Sequence, residues 1–195
     1  MIDKSNNDMD YGEEVVTQEE QQYIINWVSK NENNSFTSFI YNDLNGCYFM
    51  FTEDLLKETS DNLINKNVYK ILTNIKSRIE SLENLKECKA CSKLGNLIYV
   101  MDSGKKLHKH IDNNDTDSYH IRFNVIIQKP ERGGVPIYAE KKIKTKERCY
   151  IICRSGLDYH ESTAVSGNRP KITISYGYSI DKNKISLYSK IFNRY

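Results

Sequence analysis

The chain has 195 residues, of which 38% are hydrophobic, and its 14 Tyr and 6 Phe supply enough apolar bulk for a core. A wholly disordered chain is therefore excluded, and the length fits one ordinary domain with an extension. The 28 basic residues stand against 26 acidic ones, so charge gives no argument for nucleic-acid binding, and no apolar run approaches the ~18 residues of a membrane span.

Residues 1–16, "MIDKSNNDMDYGEEVV", are polar and acidic and are expected to be flexible. Thr17 then opens a T-x-x-E capping box with Glu20. The stretch behind it predicts a short helix with Tyr23, Ile24, Trp27 and Val28 on one face. "SFTSFIYNDLNGCYFMFTED" reads as two strands about an Asn45-Gly46 turn. Ser60 or Asp61 caps the strongest predicted helix, over 61–84. In it Ile64, Val68, Ile71, Leu72, Ile75, Ile79 and Leu82 recur at three- and four-residue steps, an apolar stripe suited to the face of a sheet.

From Leu97 the texture changes to short strand-like runs: "NLIYVM", "KLHKHID", "YHIRFNVIIQ", "GVPIY", "KKIKTK", "RCYIICR", "HESTAV" and "KITISYGYSI". Turn residues separate them, at Asp102-Ser103-Gly104, Asn113-Asn114-Asp115, Pro130 through Gly134, Ser155-Gly156 and Ser166-Gly167-Asn168. Eight short strands without an intervening helix predict a β-sandwich or barrel. The tail "ISLYSKIFNRY" is amphipathic enough to pack back on the body.

The five cysteines, Cys47, Cys88, Cys91, Cys149 and Cys153, are odd in number, and with no signal peptide they point to reduced thiols in a cytoplasmic setting. "CKAC" lacks a second pair and is read as ordinary thiols rather than a zinc site. Heavy use of Lys, Asn and Ile points to an AT-rich genome, viral or microbial. The basic stretch "EKKIKTKER", 140–148, is able to attract an acidic peptide or nucleic acid, but lysines that guard an exposed strand edge are sufficient explanation and the preferred one.

The chemistry concentrates in "KLHKHIDNN". On a strand His108, His110 and Asp112 share a face, and His160 lies on a later predicted strand. Two imidazoles and a carboxylate leave half of an octahedral ion open, which suits Fe(II) that must also hold a cosubstrate and oxygen. Arg169 follows the turn at Ser166–Asn168, where its planar fork is suited to a carboxylate. H-x-H, from His108 and His110, is as available as H-x-D.

"LIYVMDSGKKLHKHID", "IRFNVIIQKPERGGVPIY" and "ERCYIICRSGLDYHESTAVSGNRPKITISYGY" resemble successive blocks of the Fe(II)- and 2-oxoglutarate (2OG)-dependent oxygenases, nearest to the prolyl-hydroxylase-like branch. The match covers about residues 96–180 and includes Gly104, the Pro-x-x-Gly-Gly turn at 130–134 and the His-to-Arg spacing. The resemblance implies an α+β protein built on a double-stranded β-helix (jelly roll) with N-terminal buttressing helices. It implies one oxygenase domain over 17–195, with a support region at 17–95, the β-helix core at 96–180 and a tail at 181–195. It assigns His110, Asp112 and His160 to iron and Arg169 to the distal carboxylate of 2OG. Relatives often place a hydroxyl two residues after the arginine. Lys171 stands there, so the partner stays open, with Ser175 and Asn124 as further cosubstrate-binding candidates and Gln128 and Tyr99 behind them. His108 is read as a surface histidine.

The implied activity consumes 2OG and O2, yields succinate and CO2, and hydroxylates a protein side chain, prolyl as the first guess, or a free amino acid. Three rivals differ in class: an oxygenase acting on nucleic acid, a cupin-type metalloenzyme that ignores 2OG, and a non-catalytic jelly-roll binding module. The cupin pattern fails in detail, since no Glu closely follows the H-x-H pair and no Asn stands four residues after His160.

Overall fold

The computed structural model describes residues 12–31, 47–51, 66–85, 88–90 and 95–193. Its elements in order are α1 (Gln18–Asn31), β1 (Cys47–Phe51), α2 (Lys66–Leu82), β2 (Lys89–Ala90) and β3 (Asn96–Met101). There follow β4 (Ser118–Gln128), β5 (Arg132–Gly133), β6 (Pro136–Tyr138), β7 (Lys141–Lys142) and β8 (Tyr150–Cys153). The chain continues through β9 (His160–Ser162), β10 (Val165–Ser166), β11 (Lys171–Asp181), a 3-10 turn (Lys182–Tyr188) and α3 (Ser189–Phe192).

The main sheet runs β1-β3-β11-β4-β8, with β2 on the far end of β11, and every pairing in it is antiparallel. A smaller sheet, β7-β6-β9, and a β5–β10 pair are also antiparallel. The long central strands β4 and β11 are buried almost throughout, so both of their faces are covered and period-two polarity is muted in their sequence.

One face of the main sheet carries the helices. Ile98 and Val100 of β3, Phe123 and Val125 of β4, Ile152 of β8, and Ile174, Tyr176 and Tyr178 of β11 form one apolar cluster with Ile24, Trp27 and Val28 of α1 and Val68, Leu72, Ile75 and Ile79 of α2. The expected capping box forms: Thr17 N–H donates to Glu20 Oε2 at 2.9 Å, and Glu20 N–H to Thr17 Oγ1 at 3.2 Å. Tyr23 departs from the expected face and is exposed, because 100° per residue sets it roughly 90° from the centre of the Ile24–Trp27–Val28 stripe. Leu82, at the last turn of α2, is likewise exposed. The expected caps at Ser60 or Asp61, Ile64 and the Asn45-Gly46 turn lie outside the described residues.

Two further expectations do not hold. Residues 12–16 are not a loose end: Gly12 N–H donates to Tyr150 O and Val15 N–H to Arg148 O, and Val15 and Val16 are buried. They cover backbone groups at the β8 edge of the sheet, which would otherwise stay unpaired. "KLHKHID" is not a continuous strand either. It bends at Lys109 and pairs only at isolated positions, Leu107 and His110, the latter bridged to His160.

The described helices include none long and apolar enough to cross a membrane. Cys88, Cys149 and Cys153 are free thiols.

Candidate metal centre

The face of the main sheet away from the helices is polar. On β11 Lys171, Thr173 and Ser175 alternate with the apolar Ile172, Ile174 and Tyr176, as period two requires. All six are buried. Ser175 pairs across to Asn124 of β4, and Gly177 to Arg122. The segment carrying His110 and Asp112 and the strand carrying His160 lie against this face.

His110 and His160 meet through their backbone bridge, each N–H donating to the other's carbonyl at 3.1 and 2.9 Å. Their rings lie 4.1 Å apart. His110 Nδ1–H donates to His108 O at 2.7 Å, and His160 Nδ1–H to Asp158 O at 3.3 Å. Both tautomers are thereby set, and both Nε2 atoms turn toward one oxygen, Asp112 Oδ1, at 3.4 and 3.8 Å. One ligand atom from each of His110, Asp112 and His160 lies within 4.8 Å of the others. Imidazoles anchored at Nδ1 by carbonyls and aimed by Nε2 are how metal ligands are commonly held. The donor set therefore fits a divalent ion such as Fe(II), two nitrogens and a carboxylate with no thiolate.

The other carboxylate oxygen is occupied from behind. Arg122 Nε–H donates to Asp112 Oδ2 at 3.3 Å, and Arg122 Nη1–H to Ser175 Oγ at 2.9 Å. His120 Nε2 lies 3.4 Å from the same Oδ2, and His120 is buried with neither ring nitrogen in a well-formed hydrogen bond. Burial works to raise the Asp112 carboxyl, but His110, Arg122, His160 and His120 together hold it well below the usual carboxylate range. Burial, reinforced by the His110 charge, pushes His160 down to about 4. Its lone pair is thus available at neutral pH. Asp112 raises His110, mainly by hydrogen bonding and against the effect of burial.

The candidate residues divide. His110, Asp112 and His160 come together. Asn124 is buried beside them, and its Nδ2–H donates to Tyr138 Oη at 3.0 Å, next to the His160 ring. Ser175 holds Arg122. Gln128 is engaged with the Pro170 carbonyl at 2.9 Å. His108 is exposed and lends only its backbone. Arg169 does not enter the interior: its side chain is 45% exposed and donates to Glu147 Oε1 at 2.9 Å. It precedes Pro170 at the mouth of β11, where the chain has not yet turned inward.

Lys171 takes the inward position instead. It is 3% exposed. Its Nζ donates to Gly134 O at 2.8 Å and lies 5.9 Å from the Tyr99 ring, and no acidic side chain among the described residues pairs with it. Burial alone lowers its pKa to about 8. The Pro-x-x-Gly-Gly turn makes room for it. A Cβ on Gly134 would lie 3.2 Å from Lys171 Cδ and 2.9 Å from Pro130 Cγ, at a backbone φ of +63° that favours glycine. Nearby, the buried Thr173 hydroxyl faces Tyr99, whose phenol burial pushes up to about 12.

His120, Arg122 and Lys171 are the residues that sequence reasoning passed over. The signal was present: His120 and Arg122 stand four and two positions before Asn124 on β4, and Lys171 stands four before Ser175 on β11, so period two puts each on the face already chosen.

No protein-family model and no curated protein sequence matches the chain. Solved structures do match in fold. A viral collagen prolyl hydroxylase from Paramecium bursaria Chlorella virus-1, in complex with 2OG, aligns over 88% of this chain and 96% of its own, with TM-score 0.61 and 14% identity. A Pseudomonas putida prolyl-4-hydroxylase aligns over 89% and 92%, with TM-score 0.59 and 9% identity. A Trichoplax adhaerens prolyl hydroxylase, in complex with a hypoxia-inducible-factor oxygen degradation domain peptide, aligns over 89% and 84%, with TM-score 0.62 and 14% identity. The chain thus has the mixed helix-and-antiparallel-sheet fold of prolyl hydroxylases, the branch its motifs resemble.

Proposed function

We propose that the chain is an Fe(II)- and 2OG-dependent oxygenase that hydroxylates a protein or peptide side chain, with prolyl as the first candidate. The observation that carries this is the pairing of two features on one sheet face: a His110–Asp112–His160 group able to hold a metal and a buried lysine without an anionic partner among the described residues. A buried ammonium left unpaired costs stability, and a carboxylate delivered by a cosubstrate offsets that cost.

His110, Asp112 and His160 would hold the metal, which supplies the redox chemistry for using O2 when bound. Lys171 replaces Arg169 as the group for the distal carboxylate of 2OG, with Thr173 and Tyr99 offering hydroxyls beside it. Lys171 and Ser175 are four residues apart on β11, on the order of 13 Å, a span that a lysine stem and a five-carbon diacid cover between them. Arg122 keeps Asp112 Oδ2 engaged, so the carboxylate offers the metal a single oxygen. The double-stranded β-helix is the arrangement we adopt for the two sheets, with residues 17–195 as one catalytic domain.

The peptide reading is supported by the fold neighbour solved with a peptide. The basic stretch 140–148 gives nucleic acid little: Glu147 and Arg148 are taken up by ion pairs with Arg169 and Glu14, and Lys141 and Lys142 form the exposed edge strand β7. The test is aerobic incubation with Fe(II), 2OG and proline-containing peptides, followed by mass spectrometry. Succinate formation and a peptide mass gain of ~16 Da, the mass of one oxygen atom, are expected. Wild-type protein that neither binds nor consumes 2OG in the presence of Fe(II) ends the proposal.

A further inference from the structure

The metal ligands sit on weakly paired backbone. Asp112 is in no strand, and His160 opens a strand of only three residues. Both touch the loop between β8 and β9. Asp112 N–H donates to Ser155 O at 2.8 Å, and Asp158 O accepts from His160 Nδ1–H. The same loop ties down β4, where Gly156 N–H donates to His120 O at 2.8 Å. Asn114, two residues beyond Asp112, completes the staple: its Nδ2–H donates to Gly156 O at 2.6 Å and its Oδ1 accepts from His120 N–H at 2.8 Å. A Cβ on Gly156 would lie 1.9 Å from that Oδ1, so only glycine admits the approach.

Loop 154–158 is itself a closed turn. Leu157 and Asp158 N–H both donate to Arg154 O, at 2.7 and 2.9 Å. The Arg154 guanidinium then grips Asp158 with two bonds, Nε–H to Oδ2 at 2.6 Å and Nη2–H to Oδ1 at 3.0 Å. Its Nη1–H donates to the carbonyl of Phe192 at the end of α3. This fork is mostly buried, each side chain 15% exposed, and a two-point arginine–carboxylate contact fixes direction as well as distance.

We infer that loop 154–158 is the template that places Asp112 and His160 for the metal, with Arg154 as its positioning residue and α3 as its anchor. The bonds of Arg154 described above go to Asp158 of the loop and to Phe192 of α3. Arg154 acts by fixing the Asp158 carbonyl that orients the His160 ring, and the Ser155 carbonyl that fixes the backbone of Asp112. The inference rests on the metal-centre reading above. It adds that the ligand geometry is set from the C-terminal side of the molecule rather than by sheet pairing alone.

Co(II) titration of the full chain, followed by visible absorption and calorimetry, tests this. The control is Arg78→Gln, which breaks a fork of the same kind on the helix side, Arg78 to Glu20 at 2.6 and 2.9 Å. Arg154→Gln is expected to weaken Co(II) binding about 10- to 100-fold, the usual consequence of loosening the groups behind metal ligands, and to alter the Co(II) spectrum. Arg154→Lys recovers part of the affinity, and Arg78→Gln stays within about twofold of wild type, as befits a remote ion pair. Folded Arg154→Gln with wild-type affinity and spectrum overturns the template. Should that variant not fold, Asp158→Asn takes its place in the same comparison: weakened binding with an altered spectrum supports the template, and wild-type behaviour overturns it. Wild-type protein that binds no Co(II) overturns the metal centre itself, and the template with it.

Discussion

The two faces of the main sheet share β3, β4, β8 and β11, yet they solve opposite problems. The helix face is filled by Ile, Val, Phe and Tyr side chains from the strands against the stripes of α1 and α2. The other face places Lys171, Thr173, Ser175, Arg122, Asn124 and His120 in equally deep burial. Burying such groups is unfavourable unless each finds a partner. On this face several do not among the described residues: His120 and Thr173 lack well-formed hydrogen bonds and Lys171 lacks a counter-charge. One face stores stability, and the other leaves some of it unrealised, as the proposed binding of metal and cosubstrate there requires.

The sharpest way to break that contrast is to remove one of the proposed metal ligands. His110→Ala is expected to abolish metal binding by calorimetry, at least about 100-fold in affinity, since even the groups behind ligands are worth 10- to 100-fold. Turnover of 2OG should vanish with it, while unfolding of the metal-free protein by urea barely changes, because His110 is half-exposed. The mirror experiment is Leu72→Ala in α2. Leu72 is completely buried, so about 2–5 kcal/mol of stability is lost, with metal affinity per folded molecule unchanged.

Lys171 separates the faces more finely. Its folded pKa of about 8 lies below the usual 10.5, so between those values the unfolded chain holds a proton that the folded chain releases. Stability without cosubstrate therefore rises as pH climbs from 8 toward 10.5, by on the order of 3 kcal/mol. Lys171→Met removes that slope and stabilises the cosubstrate-free protein at pH 7, measured by denaturant titration. The same variant should lose about 100-fold or more in 2OG affinity, whereas Arg169→Ala, at an exposed ion pair, stays within about twofold. In wild type, 2OG binding should weaken as pH passes above 8, because the neutral amine must first take up a proton.

How much of this was legible follows from what each residue's pattern encodes. The α2 stripe and the Thr17–Glu20 box are local regularities, and both formed. His110, Asp112 and His160 were legible because H-x-D followed by a distant histidine is a chemical signature with few bland explanations. The exposed placement of Arg169 was not legible, because an arginine after a turn looks equally apt on either side of it. Only the inward turn of β11 after Pro170 decides that Lys171, not Arg169, is buried. His120 and Arg122 were hidden in "YHIRFNVIIQ" because both faces of β4 are covered, and a strand buried on both sides blurs the alternation that marks which polar residues point inward. The β8–β9 loop carries its meaning in backbone carbonyls, which no side-chain motif records.

Ser175 and Tyr176 provide the smallest and cleanest test, since they are consecutive on β11 and point to opposite faces. Tyr176 Oη donates to the Leu72 carbonyl at 2.8 Å on the helix face. Tyr176→Phe keeps the ring and forfeits one buried hydrogen bond, about 1 kcal/mol in denaturant unfolding, with no change at the metal. Ser175→Ala removes the acceptor that Arg122 Nη1–H uses, freeing the guanidinium to shift on Asp112 Oδ2. Its stability cost is similar, but Co(II) affinity should fall severalfold and its spectrum should change. If both substitutions altered stability alone, the polar face would be a second core with unusual composition; if only Ser175→Ala reaches the metal, the division of labour between the faces holds at the resolution of a single residue step along one strand.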